Sequence, residues 1–129
     1  MRGITLTCVA FVLTGIVGAQ APAFKRTVLQ QSDLSAPGRE VVQAVAEFES
    51  HATPGRHTHP GEEIGYVLEG TFLVEQDGKA PVTLKAGGTF LIPAGTVHNA
   101  TNTGSGAGKI LATYIVEKGK PLATPAPAK

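Results

Sequence analysis

The sequence predicts an all-β protein, an antiparallel sandwich or barrel built as a single domain. Three observations carry this prediction: short β-rich runs recur along the chain, turn-forming residues separate them, and long helical periodicity is absent between residues 25 and 117. The 129 residues allow one core, and 42% hydrophobic residues suffice to build it despite 16 glycines and 9 prolines. With 11 Lys+Arg against 10 Asp+Glu, the chain carries no electrostatic footprint for nucleic acid or an anionic membrane. One cysteine excludes a disulfide framework, an iron–sulfur cluster and a cysteine-based zinc site within one chain.

Residues 1–19 read as a secretory signal peptide. Arg2 is the only charge before Lys25, the run from Ile4 to Ala19 is mainly apolar, and Ala19, Ala21 and Ala23 follow. Val17-Gly18-Ala19 places cleavage before Gln20. The apolar run falls short of the roughly 20 residues that span a bilayer as a helix. A secreted or periplasmic location is therefore expected, with no stable membrane association after cleavage. Cys8 leaves with this segment.

The remaining elements follow from local chemistry. Residues 20–39 form an N-terminal arm in which Lys25–Leu29 reads as an edge strand. In Val41–Ser50 the even positions Val42, Ala44, Ala46 and Phe48 are apolar and alternate with Gln43, Glu47 and Glu49, so the even face points inward. Ile64–Leu68, Thr71–Gln76, Val82–Lys85, Thr89–Ile92, His98–Thr103 and Lys109–Glu117 complete the strands. Asp77-Gly78 tolerates the positive φ of a type I′ hairpin turn. Gly104–Gly108 reads as a flexible hairpin loop, because a nucleotide-binding glycine motif requires a helix after it and a β-run follows instead. Residues 118–129, with Pro121, Pro125 and Pro127 among Ala and Lys, are expected to be a flexible tail.

Chemistry concentrates in two segments. In the first, His57 and His59 are two residues apart, so an extended chain points both rings to one face, and Glu63 follows the Pro60-Gly61 turn. The second carries His98. Three imidazoles and one carboxylate suit a divalent transition metal. His51, the fourth histidine, is expected in an exposed loop.

These segments resemble the two motifs of the cupin family. His57, His59, Glu63 and Gly70 match the first motif, and Gly87, Pro93, Gly95, His98 and Asn102 match the second at every position. His51 stands where the first motif has its leading glycine. The resemblance, over roughly residues 40–117, implies one cupin barrel, a double-stranded β-helix of jelly-roll type. It implies His57, His59, Glu63 and His98 as ligands of one metal per chain, with Gly70, Gly87, Pro93, Gly95 and Asn102 structural. It also implies a homodimer, to which Lys25–Leu29 could lend an edge.

Four ligands leave two positions open on an ion that favours six, which places iron, manganese or nickel ahead of zinc. Dioxygenase-type oxidation of a small, partly apolar molecule is the leading expectation. The alternatives are a non-catalytic metal- or ligand-binding module, and a metal-dependent isomerase, lyase or decarboxylase. Strand parity nominates Ala46, Phe48, Phe90, Ile92 and Tyr114 to line the pocket. Glu62 and Arg56 should point away from the metal, and no general base is evident.

Overall fold

The computed structural model describes residues 19–129, so nearly all of the expected export signal, Cys8 included, lies outside the described residues. Among the described residues there are ten strands and no helix. They are β1 (Phe24–Asp33), β2 (Arg39–Phe48), β3 (His57–Thr58), β4 (Gly61–Glu69), β5 (Thr71–Gln76), β6 (Val82–Lys85), β7 (Thr89–Ile92), β8 (His98–Asn102), β9 (Gly108–Glu117) and β10 (Thr124–Pro125). Two five-stranded antiparallel sheets result, ordered β1-β2-β9-β4-β7 and β10-β3-β8-β5-β6.

The inner face of β2 is the one the alternation predicts: Val42, Ala44, Ala46 and Phe48 are buried, as are Ile110, Ala112, Tyr114 and Val116 of the adjacent β9. Phe72 and Val74 of β5 face them from the second sheet, and the Phe48 and Phe72 rings meet edge to face at 4.8 Å. Period-two burial on two facing sheets is what closes the core.

Crossings between sheets demand close backbone approach. Pro60-Gly61 carries the chain from β3 in one sheet to β4 in the other, where a Cβ on Gly61 would lie 1.9 Å from the Ile115 carbonyl oxygen. Only glycine fits there. Gly70, at φ 92°, turns β4 into β5.

Two strands extend beyond expectation. β1 runs to Asp33, and nine register pairs join it to β2 of its own chain. The terminal segment expected to be a flexible tail instead adds β10, which pairs with His57 and Thr58 of β3. Its anchors are long-range: the Ala126 amide donates to the Arg56 carbonyl at 2.9 Å, and Arg56 Nε donates to the Pro127 carbonyl at 3.2 Å. Pro125 lacks an N–H, but an edge strand does not require one at every position. The Gly104–Gly108 segment is the loop between β8 and β9, as its composition predicts.

Asn102 is the polar keystone of this loop. Its side-chain amide donates to the carbonyls of Phe48, Glu49 and Gly106 at 3.3, 3.1 and 2.8 Å, and its Oδ1 accepts from the Gly104 amide at 3.0 Å. Its backbone carbonyl accepts from His51, which takes a φ of 64° in an exposed position. That left-handed conformation explains why a glycine is the motif's usual residue there. Asn102→Ala should cost about 2–4 kcal/mol, because buried carbonyls lose their donor. A thermal melt of the variant coinciding with that of the parent would refute this role.

Candidate metal centre

The site is assembled from both sheets. In the second sheet, β3 and β8 place His57 opposite His98 in register. His59 follows β3, two residues along the chain, and the three rings cluster with centroids 4.4–4.9 Å apart. Glu63 comes from β4 in the first sheet, paired with Tyr114 on one side and Ile92 on the other. All four side chains are buried, and their ligand atoms lie within 4.8 Å of one another.

Backbone carbonyls orient the rings. His57 Nδ1 donates to Gly55 at 2.7 Å, His59 Nδ1 to Leu122 at 2.6 Å, and His98 Nδ1 to Thr96 at 2.9 Å. A carbonyl offers no proton, so each Nδ1 carries its own, and each Nε2 is left with a lone pair directed inward. The Nε2 atoms of His57 and His59 then face each other at 3.2 Å. Those of His59 and His98 each lie 3.0 Å from the same Glu63 oxygen, Oε2. Lone pairs converging this closely require protons or a cation between them, and the donor set fits one divalent transition metal.

Electrostatics favours the ligating protonation states of His57 and Glu63. Burial lowers the His57 ring to about 4, aided by the neighbouring His98 and His59 and opposed by the Gly55 carbonyl. Burial pushes the Glu63 carboxyl up, but contacts with His59 and His98 outweigh it and bring the group down to about 2. Burial also raises the Tyr114 hydroxyl, which stays a neutral donor.

The motif residues not themselves in the cluster hold its frame. The Gly95 amide, in the turn after Pro93, donates to the His59 carbonyl at 3.1 Å. Gly87 accepts a positive φ of 88° beside β4, donating to the Val67 carbonyl at 2.8 Å. Glu62 is exposed on the opposite face of β4, and Arg56 turns away to pair with Asp77.

Phe48, Phe90, Tyr114 and Ala46 line a cavity of about 20 Å³ against His57, Glu63 and His98, whereas Ile92 is buried beside Glu63 without lining it. Two contributors were not singled out from sequence. Arg26 of β1 reaches this cavity, and the Leu122 carbonyl orients His59. For Arg26 the signal was its shared strand parity with Phe24; for Leu122 no local signal exists, because a backbone carbonyl has no residue type.

A small all-β protein of two facing sheets with an inward cluster of three histidines and one glutamate has the architecture of a cupin. The chain belongs to the Cupin_2 family (cupin domain), which matches residues 44–114. Among solved structures it resembles a cupin superfamily protein from Desulfitobacterium hafniense, with TM-score 0.62 and 19% identity over 78% of this chain and 84% of that one. It also resembles a recombinant oxalate oxidase in complex with glycolate, with TM-score 0.64 and 25% identity over 79% of this chain and 54% of that one. In sequence it is 33% identical over 79 residues to the HTH-type transcriptional regulator PuuR of Escherichia coli, covering 60% of this chain and 42% of the regulator. The chain thus spans less than half the length of that relative.

Two outcomes are expected. His57→Ala or His98→Ala should lower bound metal well below one ion per chain by elemental analysis; unchanged metal in both would refute the centre. In metal-free protein, an unfolded His57 protonates near its usual 6.5 while the folded ring waits until about 4. The unfolded state therefore binds more protons across that interval, and stability present above it is lost as pH falls through it. A pH series of melts should show this loss, and His57→Gln should flatten it; an unflattened profile would assign the loss elsewhere.

Proposed function

We propose that this cupin is an exported, metal-dependent oxidoreductase of dioxygenase type acting on a small, partly apolar molecule. The observation that carries the reading is the convergence of His57, His59, Glu63 and His98 on one point beside a cavity walled by Phe48, Phe90 and Tyr114. A divalent transition metal bound there supplies Lewis-acid polarisation and, when redox-active, electron transfer with dioxygen. The chain's own residues supply the rest: the carbonyls of Gly55, Leu122 and Thr96 fix the rings, the aromatic wall excludes water, and the Tyr114 hydroxyl remains protonated and able to donate. The likeness to oxalate oxidase supports an oxidative reaction class.

The match to PuuR supports a second reading, a small-ligand binding module without catalysis. Isomerase, lyase or decarboxylase chemistry would use the same four ligands without consuming oxygen. Export is supported by the composition of residues 1–19, and a homodimer by the exposed apolar row Ile64, Tyr66, Leu68 and Leu91 on the outer face of β4 and β7.

One experiment separates these readings. Protein recovered from its native host should begin at Gln20 and contain iron, manganese or nickel, and should consume oxygen with a member of a panel of small acids, phenols and diketones. A chain that still begins at Met1 would refute cleavage before Gln20 and leave a retained anchor, and Met1-bearing protein found only in the cytoplasm would refute export. No oxygen uptake, together with one compound that raises the melting temperature, would establish the binding module instead. Turnover under anaerobic conditions would point to an isomerase or lyase.

A further inference from the structure

We infer that Arg26 is the anchor for an anionic ligand at this centre, and that the substrate class is a small carboxylate with a short apolar body. The inference deepens the metal-centre reading above and rests on it. Arg26 lies near the start of β1, in register with Ala46. A small side chain at that position lets the guanidinium extend over the inner face, where its central carbon lies 5.5 Å from the ring centroids of both Phe24 and Tyr114. Tyr114 packs on His59 at 4.7 Å, and Arg26 shares the cavity wall with His57, Glu63 and His98.

Arg26 is held between two aromatic rings, with the Tyr114 hydroxyl within its reach, yet its guanidinium is incompletely satisfied. Its Nε is buried with no hydrogen-bond partner, and no carboxylate among the described residues forms an ion pair with it. A buried donor left unmet is costly, and native proteins rarely keep one without a reason. The other arginine nearby differs: Arg56 makes a bidentate pair with Asp77 at 2.8 and 3.1 Å.

Charge counting points the same way. Among the described residues, Glu63 is the only acid in the cavity wall. With neutral imidazoles, a divalent ion and Arg26 together exceed that single negative charge by two. A buried surplus of this kind calls for a counter-anion. An outer pocket of about 200 Å³, walled by Phe24, Arg26, Pro54, Arg56, Ala123 and Pro125, adjoins His57 and leaves room for a short apolar body; its second arginine, Arg56, is already paired with Asp77. A single guanidinium fork matches a planar carboxylate, whereas a phosphate head asks for further cationic side chains that the inner cavity lacks.

The test uses manganese-loaded protein with glycolate and its uncharged counterpart glycolamide as probes, read by calorimetry alongside metal content. Wild type should bind glycolate more tightly than glycolamide. Arg26→Gln should weaken glycolate by about 10–100-fold, the loss of one charged hydrogen-bonding group, with glycolamide little changed and metal retained. Arg26→Lys keeps the charge without the fork and should lose about a few-fold; it serves as the test if Arg26→Gln does not hold its metal. Equal glycolate affinity in wild type and the tested variant at full metal loading overturns the anchor and leaves the metal centre standing. Equal binding of glycolate and glycolamide by wild type also overturns it. Wild-type protein that takes up no metal overturns both readings.

Discussion

Each of the three site imidazoles spends its Nδ1–H on a backbone carbonyl, and this commitment governs the rest of the site. Once those protons are placed, three Nε2 lone pairs and the Glu63 carboxylate face one another within 4.8 Å. Such a cluster is repulsive in isolation. The barrel holds it by fixing the carbonyls at Gly55, Thr96 and Leu122, which belong to three different parts of the chain. Positioning the site is therefore a backbone achievement, and the ligand side chains are oriented by it.

Sheet register explains how so small a protein manages this. His57 and His98 meet across β3 and β8, while Glu63 sits between Ile92 and Tyr114 in the opposing sheet. Edge-to-face aromatic contact between Phe48 and Phe72 fixes the sheets at one spacing beyond the site. Asn102 ties the β8–β9 loop to the end of β2, so the same motif that supplies His98 also secures the strand opposite it. Apolar burial supplies the bulk of the stability; the buried hydrogen bonds of Asn102 select which packing is adopted.

Much of the fold and the ligand set was legible because both depend on periodicity and spacing. Alternation along β2 predicts its buried face, and the two-residue interval from His57 to His59 predicts convergent rings. The cupin motifs bring His98 and Asn102 into the same frame. What escaped the sequence depends on partners far along the chain. The segment Leu122–Pro127 reads as mobile from its proline and alanine content, yet it pairs with β3, and its Leu122 carbonyl accepts from His59, 63 residues away. Arg26 falls within the edge strand read from sequence, and only the register with Ala46 turns it inward.

β1 forms an outer border of its sheet, hydrogen-bonded to β2 alone. Both of the groups it sends into the cavity region, Phe24 and Arg26, come from its first three residues. The end of a border strand is the part of a sheet that opens at the smallest free-energy cost, well below that of global unfolding. The guanidinium thus rides on a border strand end that is tied to the body by the Ala23–Glu49 hydrogen bonds and the Phe24–Phe48 ring contact. Any local opening of that end would move Phe24 and Arg26 together, because both side chains belong to the same short stretch of strand.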